Sequence, residues 1–244
     1  MEATFNPRRL VFEFDGALVK GDVTSASGAY LLVLHGAGQS RRDAYRAWRE
    51  DLLGRGVHSA AFDCIGQGET GGQLLGSSLE KRTGQALRFI KEAGLEQPLV
   101  VVGSSMGAYT AIKLAERLEV SGLVLNVPAV YDQAAYSVPF GPEFSRRIRR
   151  ERSWEDSDAW EILRRYAGDL LVVTAELDEV IPEGVIRGIL ESAVSARSKQ
   201  HLRLKGVGHR FSLSSDPEQQ RLVFEAVAAV ALARKNIAEA RAHV

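Results

Sequence analysis

A serine hydroxyl attacks a carbonyl only when something takes its proton, and three places in this chain could arrange that together. Gly103-Ser104-Ser105-Met106-Gly107 follows the apolar run PLVVV directly and opens the amphipathic stretch MGAYTAIKLAERL. A G-x-S-x-G between a buried strand and a helix makes so sharp a turn that side chains at the flanking positions would clash, hence glycine at both. The turn projects the Ser105 hydroxyl at a helix N-terminus, where unpaired N–H groups favour developing negative charge. Such a hydroxyl needs a base, and the base needs an orienting acid. His209, in Gly206-Val207-Gly208-His209, follows the run HLRLK, and Asp178, in ELDEVIP, follows LLVVTA. The expected chemistry is acyl transfer, with Ser105 as nucleophile, His209 as base and Asp178 as the acid that orients it.

Acyl transfer also requires two N–H donors aimed at the tetrahedral oxyanion, each worth several kcal/mol of barrier. One is expected from Met106, the residue after the nucleophile. The other is expected from His35-Gly36-Ala37-Gly38, which ends the apolar run YLLVL. Ala37 is the first choice there, and its neighbour Gly38 could replace it.

These residues need elements that bring them to one place. Apolar runs at 30–35, 58–62, 98–103, 122–126, 170–175 and 201–206 alternate with segments of helical period at about 43–54, 77–93, 106–118, 183–196 and 217–240. The first, third and fifth runs are nearly continuously apolar, as strands buried on both faces must be. Strands alternating with helices predict βαβ crossovers and a mostly parallel, doubly wound sheet. Ahead of them, Leu10–Phe14 and Ala17–Asp22 flank Asp15-Gly16, an antiparallel hairpin signal. The fold class predicted is α/β, one domain over 1–244. Ser105, Asp178 and His209 then all sit at C-terminal strand ends, the edge where open α/β sheets bind ligands. His58 and His201 fall at strand starts, the opposite edge, and His243 in the tail.

One stretch, 128–168, breaks the alternation. It holds Pro128, Pro139 and Pro142, then a polar helix-like segment, and seven of the eighteen aromatics. So many rings in an insertion suit a lid or acyl-binding wall, with Tyr131, Tyr136 and Phe140 as candidate substrate-binding residues. They suit equally a peripheral helix docked onto the sheet. Its basic run, Arg146, Arg147, Arg149, Arg150 and Arg152, adjoins Glu151, Glu155, Asp156 and Asp158. It reads as a solvated, self-paired face, with Arg147–Glu151 at i,i+4 spacing.

The elbow GSSMG, the loop HGAG, the Asp of ELDEVIP and the His of GVGHRFS resemble the α/β-hydrolase superfamily. So does Asp63-Cys64-Ile65-Gly66-Gln67-Gly68-Glu69-Thr70, similar to that family's D-x-x-G-x-G-x-S/T loop. The likeness runs from about Tyr30 to Val230. Within the superfamily it resembles compact esterases with a small insertion, such as feruloyl esterases, and the serine aminopeptidase-like group. The resemblance implies an α/β-hydrolase fold and a carboxylesterase on small to medium or aromatic acyl esters. Glu176 and Glu179, which flank Asp178, are rivals for the acid, as is Asp132 after the preceding strand, an alternative site in some relatives. The same machinery would serve a thioesterase, a peptidase or an acyltransferase. A hydrolase-like protein that binds a ligand without turnover is the reading from a different class.

Composition narrows the remaining classes. Among 244 residues, Lys plus Arg and Asp plus Glu both number 31, so the net charge is zero and nucleic acid is not an expected partner. A single cysteine, Cys64, leaves no intrachain disulfide and no thiolate zinc set. No H-E-x-x-H-like spacing is present, so neither metal nor cofactor is expected. Gly66-x-Gly68-x-x-Gly71 matches a dinucleotide fingerprint but lacks the helix directly after it. No signal peptide and no membrane span are visible. The expected protein is a cytoplasmic enzyme whose partner is a small-molecule ester.

Overall fold

The computed structural model describes residues 5–25, 28–210 and 216–242; His243 lies outside them. Its centre is an eight-stranded sheet. The strands are β1 (Arg8–Phe14), β2 (Ala17–Val23), β3 (Leu31–Leu34), β4 (Ser59–Phe62), β5 (Leu99–Ser104), β6 (Val120–Asn126), β7 (Asp169–Ala175) and β8 (Ser198–Leu204). Their order across the sheet is β1-β2-β4-β3-β5-β6-β7-β8. β2 runs antiparallel to β1 and β4, and every other pairing is parallel. The N-terminal hairpin turns at Asp15 and Gly16, both at positive φ (54° and 73°), as the Asp-Gly pair requires of a tight primed turn.

Side chains alternate across a strand, and that alternation sorts the interior into two layers. Leu31, Val33, Val100, Val102, Val124, Leu171 and Val173 face one side, where α1 (Arg46–Gly54) and α7 (Pro217–Ala242) cover them with Trp48, Leu52, Val223, Val227 and Ala231. Leu32, Leu34, Val101, Leu123, Leu125, Leu170 and Val172 face the other, under α2 (Leu79–Ala93), α3 (Met106–Ala115), α5 (Ala159–Arg165) and α6 (Glu183–Ser192). Burying each such side chain is worth ~1.5–3 kcal/mol, and both faces contribute. α2 starts where the Ser78 hydroxyl accepts from Lys81 N–H at 3.1 Å and ends on Gly94 at φ 65°. α7 is fastened by the Tyr30 hydroxyl, which donates to the Ala231 carbonyl at 3.1 Å, and by Arg234 over the Tyr30 ring.

The chain goes from β3 outward to β4, then returns past β3 to β5. The switch point lies between β3 and β5, and open α/β sheets form their ligand crevice there. The insertion between β6 and β7 contains α4 (Pro142–Ile148), α5 and two short 3-10 turns. β8 begins three residues earlier than its hydropathy indicated, so His201 lies within the strand and not at its start. Its Nε2 meets the Thr174 hydroxyl at 2.8 Å. Residues Ser198–His201 are polar and mostly exposed because β8 is an edge strand, which hides its start from hydropathy. Among the described residues, no helix is long and apolar enough to cross a membrane.

The hairpin packs on the sheet through Gly21. A Cβ there would lie 2.5 Å from the Phe89 ring and 2.7 Å from the Ala61 carbonyl oxygen, whereas one on Gly54 would meet nothing within 4 Å. Gly21→Ala is expected to destabilise the protein by about 1–3 kcal/mol through overpacking. Gly54→Ala should be neutral or mildly stabilising. Thermal denaturation of the two variants reads the difference, at roughly 2–4 °C per kcal/mol for a domain of this size.

Candidate active site

β5 enters α3 through a single residue. Ser105 has φ 51° and ψ −117°, a conformation that costs a non-glycine residue ~1–3 kcal/mol. Its neighbours leave no room for anything but glycine. A Cβ on Gly103 would lie 2.4 Å from the Gly107 carbonyl oxygen, and one on Gly107 would lie 2.5 Å from that of Leu34. The strain is held by β6: Ser105 N–H donates to the Asn126 carbonyl at 2.9 Å, and Ala129 N–H donates back to the Ser105 carbonyl at 3.1 Å. Between them Val127 also takes positive φ, 39°. Beneath, the fully buried Asn126 amide donates to the Ser104 hydroxyl at 3.0 Å.

Ser105 occupies the N-cap position of α3, yet its hydroxyl makes no capping bond. It lies instead 3.0 Å from His209 Nε2. The other ring nitrogen, Nδ1, is 2.9 Å from Asp178 Oδ2 and 3.1 Å from Oδ1. A carboxylate only accepts, so Nδ1 carries the proton and Nε2 is left to accept from Ser105. Asp178 is itself oriented: its Oδ1 accepts from the Val180 and Ile181 amides at 2.8 and 3.1 Å. The loops after β7 and β8 are joined where Leu177 N–H donates to the Val207 carbonyl at 2.9 Å. The three residues named from the sequence therefore form one continuous hydrogen-bonded line.

Two of the three rival acids are used elsewhere. Asp132 caps a 3-10 turn through the Ala134 amide at 2.8 Å and faces Arg150 at 3.6 Å. Glu176 accepts from the Gly206 amide at 2.9 Å, a bond that shapes the loop carrying His209.

Met106 opens α3, where the first N–H groups have no partner within the helix. The loop after β3 faces Ser105: a Cβ on Gly36 would lie 3.2 Å from the Ser105 Cβ. Ala37 is next along that loop, where the chain becomes exposed.

Gly66 and Gly68 close a turn around Asp63 and the Leu74 backbone, since Cβ atoms there would lie 2.2 Å from Leu74 N and Asp63 Cγ. Asp63 accepts from the amides of Arg42 at 2.7 Å and Glu69 at 3.0 Å, and ion-pairs with the Arg42 guanidinium. Arg42 also binds Asp22 and Glu69, at 2.8 and 2.6 Å. These glycines serve a carboxylate hub, which accounts for the fingerprint-like spacing. Sequence reasoning passed over Arg42, Gln67 and Arg82. Arg82 had a signal: it falls on the apolar stripe of α2, three residues after Leu79 and four before Ala86.

The seven rings of the insertion separate into two groups. Trp154 and Trp160 lie over Gly184 and Gly188 of α6, and the Tyr166 hydroxyl donates to the Asp169 carbonyl at 3.0 Å, so these dock the insertion. Tyr131, Tyr136, Phe140 and Phe144 gather around Tyr109 of α3, with Tyr131 edge-on to it at 5.6 Å. Phe140 and Phe144 are buried; Tyr131 and Tyr136 are partly so. The Tyr109 hydroxyl and Lys113 ammonium both hold Asp158, at 2.7 Å each. Arg147 pairs with Glu143 and Asp132, and not with Glu151, because α4 ends at Ile148 before that spacing can close. Cys64 is buried in the core, and burial pushes its thiol up.

The model of the alpha/beta hydrolase family matches residues 31–180, more than half of the chain. The chain belongs to the α/β hydrolase family. The matched stretch runs from β3 through the Asp178 loop, and His209 lies beyond it. Est1E from Butyrivibrio proteoclasticus, solved with ferulic acid bound, has a TM-score of 0.70 at 18% identity, over 91% of this chain and 98% of that one. A thioesterase domain from the curacin biosynthetic pathway has a TM-score of 0.68 at 18% identity, over 93% and 99%. The esterase EaEST from Exiguobacterium antarcticum has a TM-score of 0.67 at 18% identity, over 89% and 96%. No curated protein matches the sequence significantly.

His35 ties the loop after β3 to the turn after β4. Its Nδ1–H donates to the Gly36 carbonyl at 2.8 Å, and its Nε2 accepts from the Cys64 amide at 3.0 Å. A proton on Nε2 would set one N–H against another. Burial, then the nearby Arg82 charge, lower its pKa to about 3. The folded value lies below the ~6.5 of a free imidazole, so as pH falls the unfolded chain takes the proton first. The His35 contribution is whole above that reference value and is lost at up to ~1.4 kcal/mol per pH unit as pH falls toward the folded value. Denaturant unfolding at a series of pH values should show a shallower acid limb for His35→Gln than for the wild type.

Proposed function

We propose that this hydrolase-family chain is a carboxylic ester hydrolase working through an acyl-enzyme on Ser105. The observation that carries the reading is the line Ser105 Oγ–His209 Nε2 at 3.0 Å and His209 Nδ1–Asp178 Oδ2 at 2.9 Å, assembled from three separate strand ends. Ser105 Oγ attacks the ester carbonyl while His209 Nε2 takes its proton. Asp178 holds the imidazole in the productive tautomer and faces the positive charge that forms. The Ala37 and Met106 amides receive the oxyanion. His209 then gives its proton to the departing alkoxide; a water molecule, deprotonated by His209, attacks the acyl carbon, and the acid is released as the acyl–Oγ bond breaks and His209 returns that proton to Ser105 Oγ. No step calls for a metal or cofactor.

We assign the acyl side of the pocket to the insertion. Ala129 is bonded to the Ser105 carbonyl, so the chain leaves the nucleophile directly into Tyr131. Tyr131 and Tyr136 are the wall, and the buried Phe140 backs it. The likeness to a fold seen with ferulic acid bound fits aromatic acyl groups, and rings offer large rigid area for them.

Ser105→Ala and His209→Ala should each lower ester turnover by on the order of 10⁴-fold or more, and Asp178→Asn comparably. Asp132→Asn should stay near the wild type. A fluorophosphonate probe should label the wild type and not Ser105→Ala, and EDTA should change neither result. An active Asp178→Asn beside a dead Asp132→Asn would reassign the acid. In a series of esters of graded acyl length, Tyr131→Ala and Tyr136→Ala should flatten the preference for larger acyl groups, each methylene being worth only ~1–3 kcal/mol. A lowered melting temperature with an unchanged acyl profile would make the tyrosines docking residues.

A further inference from the structure

The peptide unit joining Gly36 to Ala37 has two very different ends. Its oxygen accepts from His35 Nδ1 at 2.8 Å and from Gln67 Nε2 and Arg82 Nη2 at 3.3 Å each. Its N–H belongs to Ala37, on the exposed side of the loop. A peptide is planar and trans, so its C=O and N–H point in opposite directions. Three donors that hold the oxygen inward therefore turn the Ala37 N–H outward. Donation to a carbonyl also polarises the whole unit, strengthening its N–H by ~10–30% per bond.

Among these donors Arg82 is the unusual one. It is 2% exposed, and no carboxylate among the described residues lies within ion-pairing distance. Its partners are neutral: Gln67 Oε1 at 2.6 Å and the carbonyls of His35 at 2.8 Å and Gly36 at 3.3 Å. Its Nε has no hydrogen-bond partner. Arg42 and Arg49, also buried, are by contrast paired with Asp22. A buried charge without a counter-ion costs several kcal/mol. Holding two carbonyls could be done by a neutral amide, as Gln67 already does for the Gly38 carbonyl at 2.7 Å.

We propose that Arg82, assisted by Gln67, is a positioning residue of the oxyanion hole, and that its missing counter-charge is the tetrahedral oxyanion itself. The inference rests on acyl transfer at Ser105. As the Ser105 Oγ–carbon bond forms, the carbonyl π pair moves onto oxygen and the hydroxyl proton moves to His209. The new negative charge meets the Ala37 N–H, and the Arg82 charge acts through that peptide without giving up a proton. The oxyanion collapses when the alkoxide leaves with the His209 proton. Arg82 thus faces a partner only in the transition state and the intermediate, which places its effect in kcat and not in KM.

Steady-state kinetics on p-nitrophenyl esters, the rate of fluorophosphonate labelling and the melting temperature are compared for the wild type, Arg82→Met, Arg82→Lys, Gln67→Met and Ser105→Ala. Arg82→Met should lower kcat by about 10²–10³-fold with KM within about threefold, and slow labelling in parallel. Arg82→Lys, which keeps the charge, should recover about tenfold or more, and Gln67→Met should lose about tenfold in kcat. If Arg82→Met does not fold, Gln67→Met decides by the same split. Wild-type kcat in the deciding variant, a loss confined to KM, or no recovery in a folded Arg82→Lys overturns the proposal. With Ser105→Ala inert, such a result removes Arg82 alone. Turnover and labelling retained in Ser105→Ala would remove the acyl-transfer reading and this proposal together.

Discussion

The site depends on one backbone conformation. Ser105 stands at φ 51° because β5 must turn into α3 without an intervening loop; a side chain on Gly103 would strike the first turn of α3, and one on Gly107 would strike the end of β3. That turn costs free energy locally, and the surrounding sheet over-determines it through the Asn126 and Ala129 hydrogen bonds. In return the serine sits at a helix N-terminus with its hydroxyl unspent on capping. Glycine at 103 and 107, burial of β5 on both faces and the position of β6 are all conditions of that one geometry.

A second layer of order lies under the loops beside it. His35, Gln67 and Arg82 all engage the His35–Gly38 loop, while Asp63, Arg42, Asp22 and Glu69 brace the turn that supplies Gln67. The two sets meet where Cys64 donates to His35. Buried polar groups of this kind are costly unless each is satisfied, and here nearly all partners come from different elements. The result is rigidity where the chain has no regular structure of its own. A catalytic constellation on loops needs such support to hold its distances.

The insertion is fastened at several points. Its tryptophans dock on α6 where glycines make room, its Asp158 is held by α3, and Phe140 exchanges backbone hydrogen bonds with Gly76 and Ser77. With docking met by these residues, Tyr131 and Tyr136 remain only partly buried. Docking is thus carried by some of the rings, while the two half-buried tyrosines gather at Tyr109.

Much of this could be read before any fold was known. Strand-helix alternation, the Asp-Gly hairpin and the two glycines of the elbow are local signals, because hydrophobic period and steric exclusion act between near neighbours in the chain. The order Ser105, Asp178, His209 was legible for the same reason, each lying just past a strand. The polar edge strand β8 was misplaced at its start because exposure removes the hydropathy that marks a strand. The partners of Arg82, Gln67 and Arg42 were out of reach, since their bonds join residues tens of positions apart and nothing near them in the chain names the other end. So too was the separation of the aromatic rings into those over α6 and those around Tyr109. Sequence determined which residues could do the chemistry and the turns that present them. Only the packing of strands β3, β4, β5 and helix α2 against one another decided which side chains meet the carbonyls of the His35–Gly38 loop.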